Sequence, residues 1–158
     1  GRKYDVERIL YYLKCVDMIG INAAWGSGKT FVLEQLVKRQ EIQSAYEIIW
    51  IDLLTCNMDE IEQLLLNELE RILTRYGIFS KYAGKLRRML EKGTFLKQMQ
   101  NLLFPQSTSL SEAFAGFGKD VRKLEKGILV IYEDLDRISN PDTSKNYFPF
   151  PKSWQAGK

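Results

Sequence analysis

The stretch from Met18 to Leu36, MIGINAAWGSGKTFVLEQL, constrains the fold of this chain more than any other feature. It passes from an apolar run through a loop of small residues into a segment with helical apolar spacing. Gly28, Lys29 and Thr30 close an eight-residue pattern that opens at Ala23 and has the Walker A spacing. Such a loop joins a buried strand to a helix, so the pattern predicts an α/β fold with a parallel sheet.

The residue types of this loop suit the binding of a nucleoside triphosphate. Side chains at Gly26 and Gly28 would obstruct backbone N–H groups that point toward the phosphates. Lys29 and the N-terminus of the following helix add positive charge, and the Thr30 hydroxyl is expected to bind Mg²⁺. The predicted nucleotide-binding residues are Ala23, Ala24, Trp25, Gly26, Ser27, Gly28, Lys29 and Thr30.

The flanks of the loop also fit this interpretation. Met18 to Asn22 predicts a short buried strand. The helix after the loop has an apolar face made of Phe31, Val32, Leu33, Leu36 and Val37.

A second motif follows Gly127, where the apolar residues Ile128 to Tyr132 lead into Glu133 and Asp134. This pattern predicts a central parallel strand whose carboxyl end faces a ligand. In nucleotide hydrolases of the P-loop class, such a strand delivers one carboxylate to the Mg²⁺ shell and a second that polarises the attacking water. We therefore predict Lys29, Glu133 and Asp134 as catalytic residues, and Thr30 with Glu133 as metal ligands.

Composition excludes several other kinds of site. The 158 residues contain no histidine, which removes His-based acid/base catalysis and His-containing metal sites. The two cysteines, Cys15 and Cys56, are too few for a disulfide framework, and we expect both to be buried thiols. A net charge of +3 does not indicate a nucleic-acid surface. No apolar run approaches membrane-spanning length and no signal-peptide pattern opens the chain, so we expect a cytoplasmic piece of a longer protein.

The rest of the chain predicts helices and one more strand. Asp5 is expected to cap a first helix that covers the sheet, and Glu47 to Ile51 predicts a second buried strand. Asn57 is expected to cap a long amphipathic helix with Met58, Ile61, Leu65, Leu69, Ile72 and Tyr76 on its apolar face. Further helical patterns carry Leu86, Met89 and Leu90, then Phe95, Met99, Leu102 and Leu103, then Ala113, Phe114, Phe117, Val121 and Leu124, the last capped by Ser109 or Ser111.

These patterns give the predicted domain organisation. A P-loop domain covers residues 1–138, with a helical insert from about 57 to 125. Residues 139–158 predict an irregular tail or the start of a further segment. The densest basic patch consists of Lys81, Lys85, Arg87, Arg88 and Lys92, which is typical of a solvated helix face; a surface for nucleic acid or an acidic subunit is the alternative.

Taken together, AAWGSGKT with Trp25 before Gly26 and ILVIYEDLDRI resemble the KAP family of P-loop NTPases. Members pair a Gly-x-Trp-Gly-x-Gly-Lys-Thr loop with a strand that ends in Asp-Asp-Leu-Asp-Arg. Asp134, Asp136 and Arg137 match the second motif, whereas Ala23 replaces the first glycine and Glu133 replaces the first aspartate.

The resemblance implies a three-layer α/β sandwich that binds and hydrolyses Mg²⁺-ATP. It also implies a nucleotide switch that drives assembly of a homo-oligomer or larger complex, and a role in bacterial defence against phage. An arginine from a neighbouring subunit would complete the site, with Arg87 and Arg88 favoured over Arg137. A catalytically weak scaffold is the alternative; a GTPase is disfavoured because no Asn-Lys-x-Asp segment occurs, and a small-molecule kinase because the acidic pair suits water activation.

Overall fold

The computed structural model of the chain describes residues 2–21, 24, 26–57, 60–91 and 108–134. The chain divides into two compact units, Gly1–Ile48 and Ile49–Lys158. The predicted boundary between a domain ending at 138 and a tail lies outside the described residues.

The described residues of the first unit form the helices α1 (Arg2–Leu13), α2 (Lys29–Val37) and α3 (Gln40–Ala45). Its small core takes at least one apolar side chain from each helix: Val6 from α1, Val32 and Leu36 from α2, and Ile42 from α3. An ion pair between Arg39 and Glu7 links the start of α3 to α1.

Three predictions for this unit are wrong. Met18 to Ile21 form no strand, and Met18 is 74% exposed, because the two strands that pair in the described chain are supplied by other segments. Asp5 does not cap α1; it lies in the first turn, where its charge still suits the helix dipole. Cys15 is exposed and not a buried thiol; the same prediction fails in the second unit, where Cys56 is only partly buried.

The sheet consists of β1 (Tyr46–Asp52) and β2 (Gly127–Glu133), which pair with each other. The backbone N–H of Leu53, just past β1, donates to the carbonyl of Glu133 at the end of β2. Both strands therefore end at the same edge of the sheet, so they run parallel. The predictions of strands at 47–51 and 128–132 are confirmed, each with one more residue at both ends.

Between the two strands the chain forms helices α4 (Ile61–Arg75), α5 (Ala83–Glu91) and α6 (Thr108–Val121). Their apolar faces pack with one face of the sheet into a single core. The larger side chains of this core are Ile49, Ile51, Leu65, Leu66, Leu69, Ile72, Leu73, Leu86, Phe114 and Phe117. Burial of side chains of this size is the main source of stability in a domain, at about 1.5–3 kcal/mol each.

The close packing of this core depends on one glycine. A β-carbon at Gly116, in the middle of α6, would overlap the ring of Tyr82, which lies just before α5. Glycine costs about 1 kcal/mol relative to alanine inside a helix, and here it is required because a larger residue would push the ring away.

The predicted helix faces are largely confirmed, and the predicted caps are not. α4 begins at Ile61, and Asn57 instead accepts a backbone hydrogen bond from Glu60 in a tight turn before the helix. Tyr76, expected on the apolar face, is 44% exposed. α6 starts at Thr108, so Ser109 and Ser111 lie inside it. The predicted helical residues Phe95, Met99, Leu102 and Leu103, together with Met58 and Lys92, lie outside the described residues.

None of the described helices combines the length and apolar character that a membrane crossing requires.

Glu62, in the first turn of α4, couples folding to pH. Burial raises the pKa of its carboxyl group from 4.5 to about 7, although the helix N-terminus favours a carboxylate. Because the folded-state pKa is the higher one, the stabilising contribution of this group is complete below pH 4.5 and is lost as pH rises through about 7. We expect Glu62→Gln to remove this decline and to raise the unfolding midpoint above neutral pH, as thermal melts over this range will measure. The same change at the exposed Glu60 is the control, and an unaltered decline in Glu62→Gln would contradict the assignment.

Candidate functional site

The glycine loop of the first unit has a backbone that only glycine adopts easily. Gly26 and Gly28 have φ angles of 74° and 86°, both in the left-handed region. The Ser27 N–H, between these two glycines, donates a hydrogen bond to the carbonyl of Ala24 at 3.1 Å, which closes a turn. Apart from its two chain neighbours, no atom of the described residues lies within 4 Å of a β-carbon built at Gly26, so the space on that side of Gly26 is open. A loop of this shape can direct several N–H groups to one anion.

Helix α2 starts directly at the end of this loop. Gly28 is its N-cap and provides no side-chain hydrogen bond, and the first turn contains no acidic residue. The N-terminus of α2 therefore carries the partial positive charge of the helix without a carboxylate of its own to balance it. Lys29 and Thr30 are the first two residues of the helix, so their side chains begin beside the loop.

The structure thus brings together five of the eight residues predicted to bind nucleotide, from Gly26 to Thr30, as one turn and the first residues of α2. Ala24 joins them through its carbonyl group. Ala23 and Trp25 lie outside the described residues. The strand predicted to precede the loop is absent from the described residues 18–21, so the loop follows an irregular segment here.

The acidic motif lies in the second unit, at the carboxyl end of β2. Glu133 is the last residue of the strand, and one of its carboxylate oxygens, Oε2, accepts a hydrogen bond at 3.0 Å from Nε1 of Trp50 on β1. Asp134 follows with a φ of 59°, in the left-handed region that residues other than glycine seldom adopt. Aspartate tolerates this conformation better than most residues, and such backbone conformations are concentrated at functional sites. Asp136 and Arg137 lie outside the described part of the chain.

Sequence reasoning missed the importance of Trp50 and Asp52 at this edge. Because Leu53 N–H bonds the Glu133 carbonyl, parallel register sets Asp52 directly opposite Glu133. Two carboxylates therefore end neighbouring strands on one face. The Asp52 carboxylate accepts the backbone N–H of Leu54 at 2.9 Å, which fixes the turn after β1. The signal was available in the alternation of β1, where Ile49 and Ile51 face the core and the residues between them face away.

The donor groups of both motifs suit Mg²⁺. Its ligands are oxygens, and it is held by one or two protein side chains together with phosphates and water. Thr30 offers a hydroxyl and Glu133 a carboxylate. Within the described ranges no group of three or more acidic or cysteine side chains could hold a metal ion by itself. A metal ion that is bound through phosphate oxygens does not need such a group.

Arg87, a residue of the predicted basic patch, forms an ion pair from α5 to α4. A groove of about 410 Å³ lies between the two helices, lined by Asn67, Glu70, Arg71, Thr74, Arg75 and Arg87. Arg87 donates to Glu70 and to Asn67 on α4, and within α4 Arg71 pairs with Glu68 at 2.6 Å. Partly exposed pairs of this kind contribute about 0–1 kcal/mol each, so the chief effect of the Arg87 contacts is to align the two helices.

Comparison with known proteins gives one match. The family model of the KAP family P-loop domain matches residues 9–146, which is most of the chain and includes both motifs. Neither the curated proteins nor the solved structures give a significant match.

Proposed function

Because the chain belongs to the KAP family of P-loop domains, which makes it a nucleotide-binding module of an α/β class, we propose that it binds Mg²⁺-ATP and hydrolyses it. The observation that carries this proposal is the left-handed Gly26–Gly28 loop, which leads directly into α2. No side chain at the N-cap position bonds the first N–H groups of this helix. Backbone N–H groups and a helix N-terminus together form a binding site for phosphates.

In the proposed complex the loop from Ala23 to Thr30 surrounds the phosphate chain. Lys29 places its ammonium group next to the β- and γ-phosphates, where it offsets the charge that develops during transfer. Thr30 and Glu133 would hold the metal ion, which would supply positive charge to the phosphate oxygens. We assign the three-layer sandwich of the family to this chain on the same basis, with the residues from about 57 to 125 as a helical insert.

In this proposal the acidic end of β2 activates the water molecule that attacks the γ-phosphate. Asp134 is the proposed general base, since its carboxylate can accept a proton from a water molecule aligned with the γ-phosphate. Glu133 is instead held through one oxygen by Trp50, which suits a fixed ligand better than a group that must exchange protons. Lys29, Glu133 and Asp134 are the catalytic residues of this proposal.

The proposal is tested by ATP binding and by phosphate release in a pair of glycine variants. Gly26→Ala places a side chain at a left-handed position, at a cost of about 1–2 kcal/mol, so we expect ATP affinity to fall about tenfold. Gly20→Ala is the matched control, because Gly20 is not left-handed and its surroundings are equally open. Calorimetric titration with Mg²⁺-ATP will measure both.

The same titration separates the enzyme from the alternative, a scaffold that keeps the fold without using nucleotide. A scaffold predicts no binding in the unmodified chain, or binding that Gly26→Ala and Gly20→Ala leave equally intact. Binding without phosphate release would support a nucleotide-binding module that is catalytically weak.

We further propose that nucleotide promotes assembly, so that a neighbouring subunit supplies an arginine to the γ-phosphate. Of the two candidates on α5, Arg87 is held by Glu70 and Asn67, whereas Arg88 is exposed and so better suited to reach a partner. Sedimentation is expected to show larger species with a non-hydrolysable ATP analogue, and Arg88→Ala to slow hydrolysis by the assembled form. A monomer that hydrolyses ATP at a rate independent of its concentration would contradict this.

The role in bacterial phage defence rests on the family resemblance alone.

A further inference from the structure

The hydrogen bond between Trp50 and Glu133 joins two residues that are 83 positions apart in sequence. Its length of 3.0 Å is that of an ordinary N–H···O bond, and the acceptor is a carboxylate oxygen. An indole has a single polar atom, which can only donate. Because the pair is partly buried, losing either partner would leave the other without a full replacement from water.

Strand register explains how these two side chains meet. Ile49 and Ile51 of β1 point into the core formed by the helices, so Trp50 and Asp52 point to the opposite face of the sheet. Asp52 lies opposite Glu133, which places Trp50 one step back along the same face. The indole therefore reaches Glu133 diagonally from the neighbouring strand, from the side away from the carboxyl edge.

This arrangement restrains a carboxylate that would otherwise be poorly placed. Glutamate has more rotatable bonds than aspartate and loses more side-chain entropy when it is fixed. Asp52 is a like charge directly across the ladder, which disfavours any position of the Glu133 carboxylate close to it. A donor on one oxygen counters both effects, since it selects one orientation of the side chain and adds a charge-assisted hydrogen bond.

We infer that Trp50 is a positioning residue for Glu133, whose indole N–H sets the orientation in which this carboxylate meets Mg²⁺. The inference rests on the proposed function, because Glu133 is a metal ligand only if the chain binds Mg²⁺-nucleotide. Outer partners that orient a metal ligand typically change metal affinity about 10- to 100-fold when they are removed.

The test measures the Mg²⁺ concentration at half-maximal binding of a non-hydrolysable ATP analogue. Trp50→Phe keeps the aromatic ring and removes the donor, and we expect this midpoint to rise about tenfold. Tyr46→Phe, a polar-to-apolar change at the far end of the same strand, is the control and should leave it unchanged. Unfolding midpoints of both variants show whether the fold is retained.

A second background distinguishes positioning from simple packing. Glu133→Asp shortens the side chain by about 1.5 Å, one carbon–carbon bond, and so breaks the contact with Trp50 while keeping the charge. Adding Trp50→Phe to Glu133→Asp should then cause no further rise in the Mg²⁺ midpoint. A packing role predicts the same cost of Trp50→Phe in both backgrounds.

The indole N–H signal of Trp50 in a nitrogen-15 spectrum gives a readout that needs no nucleotide. We expect it to shift in Glu133→Asp and to stay in place in Tyr46→Phe, the control at the far end of the same strand. Suppose that analogue binding by the wild-type protein depends on Mg²⁺ but Trp50→Phe leaves the Mg²⁺ midpoint unchanged. This result would overturn the positioning role and leave the proposed function standing. Wild-type protein that binds the analogue independently of Mg²⁺ would overturn the metal site, and the positioning role with it.

Discussion

Replacing Lys29 by alanine is expected to weaken Mg²⁺-ATP binding about a hundredfold and to leave the fold intact. Hydrogen bonds to charged groups contribute about 1.5–3 kcal/mol each, and the loss of about 3 kcal/mol corresponds to this factor. Lys29 is the first residue of α2, whereas the buried side chains of that helix are Val32 and Leu36. Removing the ammonium group therefore takes away the proposed phosphate contact without opening the core.

The control for this experiment is Lys38→Ala, at the other end of the same helix, where Lys38 is the C-cap residue and is exposed. It removes the same charge from the unit, so it accounts for any general electrostatic attraction of ATP. Calorimetry should give unchanged affinity for Lys38→Ala and nearly abolished affinity for Lys29→Ala. Equal affinities in the two variants would show that the loop is not the nucleotide site.

The sequence predicts the two motifs of this chain well because each is defined over a few consecutive residues. The glycines at 26 and 28 require a left-handed backbone, and the structure gives both of them that conformation. The run at 128–132 is apolar, β-branched and followed by carboxylates, and it forms β2. In both cases local backbone chemistry determines the local structure.

Boundaries that depend on tertiary context are predicted less well. Met18 to Ile21 have the composition of a buried strand, yet an isolated apolar run becomes a strand only when a neighbouring strand satisfies its backbone hydrogen bonds. Asn57 has a strong preference for the N-cap position, but α4 begins at Ile61 with Glu60 as its N-cap. Propensities of this kind are worth about 1 kcal/mol, which packing of the helix that follows can outweigh.

The contact between Trp50 and Glu133 could not be read from the sequence because it depends on the register of two distant strands. The alternation of side chains along β1 shows that Trp50 lies on the face of the strand away from the core. It does not show which residue of β2 lies beside Trp50. One backbone hydrogen bond, from Leu53 to Glu133, provides that information. The candidate site thus has a part that is local in sequence, the loop, and a part that only the fold assembles, the acidic edge.

Asp134→Asn is expected to preserve Mg²⁺-ATP binding and to lower the rate of phosphate release about 10²- to 10⁴-fold, the usual range for loss of a general base. The amide cannot accept a proton from the attacking water as the carboxylate does. Asparagine is the informative replacement because Asp134 has a φ of 59°, a conformation that asparagine tolerates and alanine does not. A fall in rate then reports the lost charge and not a strained backbone.

Two further variants locate this effect at Asp134. Asp52→Asn makes the same chemical change at the end of the neighbouring strand, where the remaining side-chain oxygen can still accept the Leu54 N–H, so turnover should fall far less than in Asp134→Asn. Glu133→Gln removes the proposed metal ligand, so it should raise the Mg²⁺ concentration needed for binding before it affects the chemical step. If Glu133→Gln instead abolishes turnover while nucleotide and metal binding hold, Glu133 is the base. The hydrogen bond from Trp50 would then orient the residue that takes the proton.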